Sequence, residues 1–530
     1  MQDYRDVLAS NTVQEMRTMV NDNFNTIRST HAGEAFPTEN LVLGMKCFRT
    51  DEKKTYTLVS MDPLEWAVEA SGGDIVNAQK YLAFIGREAL GRLTDWSGLF
   101  NRALSVEVVD FADLGTGAYV TNMSKMFHDC VSLKTVLNLN LPSSHVVRDV
   151  HGMFSECTAI SVLDVTGFQA KNVESFVDMF SDCHELKKLD VSGWQTGNAT
   201  DMRGMFRNCW KLESLDVSKW NVSKCTDFAE MFAGCRRLRG LDFTTWDTAK
   251  ATAMGGMFQG CGNENVPFAP LKLDLTTLDA SNVETTAKMF AYARAELIIG
   301  EKMRKTGKCK HMEGMFSRFN NLGDVVIAGD GYNPAVMATD YHGTPCKQTI
   351  FTAFDYSSVE NMSGMFEGTY AVNCEIDGKK GLVFHVSTPN VTNVSRLFSS
   401  TYGAQFMDVS INTDKITEMQ WMFDGANPAS IRLRNFDTRK MTVGWTEVIP
   451  VDGMFKNCRN LRYLIIDSMQ FIFKLTEDIL ADLPAECRFV VPRAMIPVYK
   501  EQEHWKNYAS RLIAMEDCSL YGACVNSAPA

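Results

Sequence analysis

Seven cysteines recur at one position of a repeat: Cys130, Cys157, Cys183, Cys209, Cys235, Cys261 and Cys458 each lie four residues after a methionine. Thiols stacked one strand spacing apart, about 5 Å, fall inside disulfide reach and could also hold a soft metal. The same pattern serves plain packing, because reduced cysteine is among the most buried residue types. No Cys-x-x-Cys pair accompanies the column, and packing is the preferred reading. A second column is acidic. Asp164, Asp190, Asp216, Asp242 and Asp274 share one register and are expected to point outward, where like charges at strand spacing repel. Solvent and nearby Lys188 or Arg239 would relieve that repulsion; alternatively a cation or basic partner would, which makes these five a candidate partner-binding stripe. Aromatic residues form a third column, Phe168, Trp194, Trp220 and Trp246. It reads as a core stack rather than a platform for bases or sugars, since nothing basic accompanies it. The nine histidines are scattered singly, and there is no His-Glu-x-x-His, Gly-x-Ser-x-Gly, phosphate-binding loop or Gly-rich dinucleotide turn. No catalytic residue, metal ligand or cofactor is therefore expected, and the chain is read as a non-enzyme.

The elements that position these columns come from one internal repeat. A Met-Phe pair stands at Met126, Met153, Met179, Met205, Met231 and Met257, in steps of 27, 26, 26, 26 and 26 residues. It continues at Met289, Met315, Met365, Met422 and Met454, with Leu99-Phe100 and Leu397-Phe398 as degenerate copies, thirteen in all. Within a turn, a short helical or bent segment carries Met, Phe and Cys. A strand follows, with Leu189 and Val191 inward and Asp190 outward because strand side chains alternate. One such unit cannot bury its own apolar face, whereas stacked units can. The expected fold is an α/β repeat solenoid of about thirteen turns, leucine-rich-repeat-like, occupying 96–475, with residues 69–95 as linker and N-terminal cap and 476–530 as C-terminal cap and tail.

The pattern Met-Phe-x-x-Cys-x-x-Leu-x-x-Leu-Asp-Val-Ser-x-Trp, seen at 179–194 and 205–220, resembles the BspA-like leucine-rich repeat family of surface and adhesion proteins. The resemblance covers roughly residues 95–515 and is most specific in the central turns. The tail from Phe489-Val-Val-Pro492 through Tyr499, Trp505, Tyr508 and Ile513 is similar to the segment that closes such arrays, supplying a last strand and an amphipathic helix over the final turn. What the family implies is binding; it carries no catalytic residues to transfer.

Residues 1–68 follow a different grammar. Val13, Met16, Val20, Phe24 and Ile27 are spaced as a heptad-like seam on a helix of about twenty residues. That seam packs either on its own domain or in a short bundle of identical chains, and the five residues are the candidate oligomerisation seam. Met45–Thr50 and Thr55–Val59 alternate as strands around the polar turn Asp51-Glu-Lys-Lys54, which predicts a hairpin. The sequence from Asn23-Phe24 through Ala35-Phe-Pro37, Gly44-Met45, Phe48 and Tyr56 to Trp66 resembles a small module common in bacteriophage tail and fibre proteins. The resemblance implies a virion-attachment or oligomerisation module, trimeric by preference, contacting other virion proteins of the tail or its appendages.

Composition closes the frame. A net charge of −11 with 22% charged residues lacks the basic stripe that nucleic-acid binding by counterion release requires. No apolar run reaches the ~18 residues needed to cross a bilayer. The opening Met1-Gln-Asp-Tyr-Arg-Asp-Val has an acid where a signal peptide needs bases, so synthesis and folding in a host cytoplasm are expected, with free thiols. The leading expectation is a non-enzymatic phage virion protein of tail-fibre or appendage type, located in the virion, presenting its solenoid to a host cell-surface protein or glycan. The rivals are a purely structural virion component, a bacterial BspA-like surface adhesin, and a depolymerase, the last disfavoured because its usual scaffold has a different repeat grammar.

Overall fold

The computed structural model describes residues 94–104, 106–111, 120–139, 146–168, 170–263, 270–319, 354–372, 379–436, 452–469, 473, 480 and 483–518, together with the backbone of short strands elsewhere. It divides into two compact units, residues 1–246 and 247–530. In the first, strands His31–Gly33, Lys46–Arg49, Lys54–Met61 and Leu64–Val68 form one sheet. The first two run parallel, the later pairs antiparallel, with a bulge between Leu58 and Ser60. The expected N-terminal helix with its seam Val13, Met16, Val20, Phe24 and Ile27 lies outside the described residues, as does most of 69–95.

Each Met-Phe segment is a chain of bends, and one turn shows the rule. Met153 N–H bonds Val150 C=O at 3.0 Å, Ser155 N–H bonds Gly152 at 3.1 Å and Cys157 N–H bonds Phe154 at 3.1 Å. The intervening amides point the other way along the stack. Gly152, Phe154 and Glu156 donate to Val177, Met179 and Ser181 of the following turn, all at 2.8 Å. An α-helix commits every amide to a carbonyl four residues back, so it could not release alternate amides to a neighbour. The backbone achieves this with two left-handed residues per turn, one just before the methionine and one three after it. In all thirteen turns these two take φ between 51° and 74°. The α component of the expected α/β fold is therefore corrected: the protein is a β-solenoid, six turns in the first unit and seven in the second. Among the described residues the only α-helices are Glu301–Arg304 and Ile496–Glu501, and neither is long and apolar enough to cross a membrane.

Behind the bends the phenylalanines stack as the repeat predicts. In the first unit Phe100, Phe127, Phe154, Phe180, Phe206 and Phe232 follow one another at 5.2–5.8 Å between ring centres, within 10° of parallel. In the second unit the ladder Phe258, Phe290, Phe316, Phe366, Phe398, Phe423 and Phe455 has spacings of 5.3–6.1 Å. All the methionines of the pairs are fully buried. Leu189 and Val191 are buried and Asp190 exposed, as alternation requires, although the strand there is only Lys188–Leu189. A second, one-residue-wide ladder of parallel bridges runs from Asp95 through Asn122, Asp149, Ser175 and Asp201 to Asp227.

The second unit lengthens the strands. Leu271–Leu275 pairs in parallel with Ala295–Ile299. Farther on, Lys379–His385, Phe406–Ser410, Ser430–Arg434, Tyr463–Asp467, Arg488–Val491 and Leu512–Ala514 form one parallel run, edged by antiparallel Cys374–Ile376. Helix Ile496–Glu501 and the 3₁₀ segment Trp505–Arg511 join the last two strands. They bury Tyr499 and Trp505 beside Phe489, and the Trp505 indole donates to the Phe473 carbonyl at 2.9 Å.

The left-handed positions make a paired prediction. Lys125 is exposed with φ 54°, and left-handed backbone costs a non-glycine residue roughly 1–2 kcal/mol, partly offset by the greater unfolded-state freedom of glycine. Lys125→Gly should therefore raise stability by about 0.5–1 kcal/mol in urea unfolding. Gly204→Ala should lower it by about 1–3 kcal/mol, because Gly204 has φ 61° and an added Cβ would run into the Asp178 carboxylate.

Candidate recognition surface

The cysteine column is interior chemistry. Among the described residues the cysteines are free thiols, and Cys130, Cys157, Cys183, Cys209, Cys235 and Cys458 are buried. Each donates its S–H to the phenylalanine carbonyl of the turn before, at 3.0–3.2 Å. Burial pushes the thiols of Cys130, Cys183 and Cys235 up to about 12, so they remain protonated donors rather than thiolate ligands. The tryptophan column is interior as well. Trp194, Trp220 and Trp246 pass their indole N–H to the carbonyls of Val165, Val191 and Val217 at 3.1–3.2 Å.

The acidic register has a local use. Asp164, Asp190, Asp216, Asp242 and Asp274 are all exposed. Their carboxylates accept the backbone N–H two residues on, from Thr166, Ser192, Ser218, Thr244 and Thr276, at 2.9–3.1 Å. Thr166, Ser192 and Ser218 add a hydroxyl at 2.7 Å. These are Asx turns that end the strand. The hydroxyl and then the amide hold the Asp164 and Asp216 carboxyls below their usual range. No group of three or more His, Cys, Asp or Glu able to hold a metal occurs among the described residues.

The outer face of the C-terminal parallel run carries a charged cluster that the repeat pattern did not reveal. Arg434 forks onto Asp408 at 2.7 Å and more closely through its second nitrogen, and also reaches Asp467 at 3.5 Å. Arg432, 7% exposed, bonds Asp467 through Nε at 3.1 Å. His385 sets Nε2 3.0 Å from Asp408 Oδ1. Burial works to raise the Asp408 carboxyl, but His385 and Arg434 outweigh it and hold the group well below the usual carboxylate range. The cluster links four strands, with an arginine on each of its two acids.

The bends present the outward chemistry. In the second unit the side chains at left-handed positions include two exposed aromatics, Tyr292 (45% exposed) and Trp421 (37% exposed). Arg318, left-handed in the next turn, lies over Tyr292 at 5.5 Å, and left-handed Arg396 lies over Trp421 at 4.7 Å. Tyr370 and Tyr402, five residues after their repeat Met or Leu, meet edge to face at 5.7 Å. The same offset in the first unit places His184 flat on Trp210 at 3.7 Å, with Arg236 over the other side at 4.5 Å. Glycine fills the left-handed positions in several turns, such as Gly314, Gly364 and Gly368. An aromatic there carries left-handed strain that glycine avoids, while keeping much of its surface in solvent. Fixed offsets from the Met-Phe pair would have located all of these in the sequence, had those positions been known to face out.

A repeat scaffold with a uniform interior and a variable outer edge is the class these features define. The chain belongs to the family described as "Mycoplasma protein of unknown function, DUF285", whose overlapping matches span residues 94–214, 148–269, 175–296, 200–329, 310–436 and 336–467. That agrees with the repeat family expected from the sequence. No curated protein matches the chain. Among solved structures, a plant peptide hormone receptor, RGFR1 in complex with RGF2, is similar at 12% identity, over 78% of this chain and 63% of that one, with a TM-score of 0.16. The chain thus spans under two thirds of the receptor's length, and traces with that score do not superpose.

Asp408 supplies the prediction here. Because its folded pKa is depressed, its contribution is fully present above the unfolded value of about 3.9 and is lost as pH falls below it. Asp408→Asn should cost at most about 3–5 kcal/mol at neutral pH by removing the carboxylate onto which Arg434 forks and leaving it the longer Asp467 contact, and should flatten the loss of stability that the unaltered protein shows on acidification, both read by urea midpoints across pH.

Proposed function

We propose that the protein is a non-enzymatic display scaffold of a bacteriophage virion, of tail-fibre or appendage type, whose solenoid bends recognise a host cell-surface protein or glycan. The observation that carries the recognition reading is the set of exposed aromatic and arginine residues held in left-handed backbone, Tyr292 with Arg318 and Arg396 with Trp421. Tyrosine, tryptophan and arginine are the side chains that dominate binding hot spots. Attachment to other virion proteins, and self-association as a trimer through the seam Val13, Met16, Val20, Phe24 and Ile27, are proposed from the N-terminal residues alone. The family description names Mycoplasma, which supports a bacterial origin, and a second reading is therefore a bacterial surface adhesin binding through the same bends.

Two measurements test the proposal. Gold-labelled antibody against the protein should decorate phage particles in electron micrographs; decoration of bacterial surfaces with bare particles would replace the virion reading by the second one. Labelled protein should bind host cells, and the double substitution Tyr292→Ala, Trp421→Ala should weaken that binding at least ~10-fold without lowering the unfolding midpoint. Unchanged binding by the double variant would remove the bends from recognition.

A further inference from the structure

Three exposed arginines on the bends lie against aromatic rings: Arg236 over Trp210 at 4.5 Å, Arg318 over Tyr292 at 5.5 Å and Arg396 over Trp421 at 4.7 Å. Among the described residues none of the three has a carboxylate partner. Arg102 and Arg148, likewise exposed, do meet acids, Asp129 at 3.3 Å and Glu174 at 2.6 Å. The stacked groups are also held in place. His184 lies flat on Trp210 at 3.7 Å, Trp421 packs so closely on Gly453 that an added Cβ there would strike its ring, and the stem of Arg318 lies on Gly368 in the same way. A guanidinium laid on a ring keeps its donors in its own plane and has already given up rotamer freedom, so an oxyanion meets a preformed fork. Its complement is a carboxylate. Two features favour a protein over a polysaccharide as the source of that carboxylate. The arginines stand at different offsets from the repeat pair, five after Met231, three after Met315 and one before Leu397. A polymer of regular repeat running along the stack would be met at one offset, whereas a folded surface has no such period. Arginine beside tyrosine and tryptophan is moreover the composition of protein-binding hot spots.

We propose that the bends recognise an acidic face of a partner protein, whose Asp or Glu carboxylates are taken by Arg236, Arg318 and Arg396. The place of contact rests on the recognition reading above, while the chemistry rests on the unpaired arginines. Binding of the full chain is measured to host cells, to a glutamate-rich peptide and its glutamine counterpart, and to alginate, a uronic-acid polysaccharide. The glutamate peptide should bind, the glutamine peptide should not, and alginate should bind at least tenfold more weakly than the glutamate peptide. Peptide and cell binding should both fall at least tenfold as salt is raised to ~0.5 M, because the paired charges are exposed. The triple variant Arg236→Gln, Arg318→Gln, Arg396→Gln should weaken both at least tenfold with an unchanged unfolding midpoint, since no ion pair of the folded chain is lost. Lysine at the same three positions should recover only part, because it keeps the charge without the fork. Protease treatment of the cell surface should abolish cell binding and periodate oxidation of its glycans should not. Binding indifferent to the triple variant, no peptide binding up to millimolar concentration, or alginate binding as tightly as the peptide would overturn the proposal. Cell binding lost to periodate but not to protease would replace the acidic protein by an acidic glycan. Cell binding kept by the triple variant but lost by Tyr292→Ala, Trp421→Ala sinks this inference alone; arginine-dependent peptide binding without cell binding sinks the recognition reading alone.

Discussion

One constraint governs each unit: alternate amides in the Met-Phe bends reach the carbonyls of the following turn. Satisfying it forbids a helix and requires two left-handed residues at fixed places. It also brings successive turns close enough for their phenylalanines to stack at 5.2–5.8 Å in the first unit. The cysteine column belongs to the same arrangement. The carbonyl of Phe127 accepts the Cys130 amide at 3.1 Å and the Cys157 thiol at 3.1 Å, so it is bonded both within its turn and to the next. A buried carbonyl has two lone pairs to satisfy, and a protonated thiol fills the second without bringing in the hydration demand of a hydroxyl.

Because the interior is met by a few residue types at fixed offsets, the exterior is free to vary. The bends place Val131, Thr158, His184, Trp210 and Arg236 at successive equivalent positions in the first unit. These side chains have little in common, while the methionines and phenylalanines behind them scarcely change. The charged cluster of His385, Asp408, Arg432, Arg434 and Asp467 departs from this economy by placing buried ions on the outer face of a sheet. Its cations and acids come from four neighbouring strands, so it fixes their lateral register as well as their pairing.

Much of the fold was legible in the sequence because hydropathy repeats at the period of the structure. The Met-Phe pair, the Leu-Asp-Val strand and the buried cysteine and tryptophan columns follow from apolar residues that recur every 25–27 positions in the regular turns. The left-handed positions were not legible, since Lys125, Glu156 and Asp182 occupy them as readily as Gly152 and Gly204 do, and polar residues on a bend look alike whatever their φ. That is also why a helix was allowed where bends stand. The acidic register Asp164, Asp190, Asp216 was correctly placed outward, but its use as a strand-ending Asx turn was written in the Thr or Ser two residues on. The charged cluster escaped notice because its members sit at no common offset from the repeat.

Disulfide trapping across neighbouring turns tests the stacking most directly. Ser175 and Asp201 face each other across a parallel bridge although 26 residues apart, and bridged neighbours lie within disulfide reach, about 4.4–6.8 Å between Cα atoms. The double variant Ser175→Cys, Asp201→Cys should form a 175–201 disulfide on mild oxidation, detected as a linked peptide by mass spectrometry, whereas Ser175→Cys, Lys188→Cys, half a turn out of register, should not. Failure of the in-register pair to link, or equal linking by the displaced pair, would contradict the stacked solenoid.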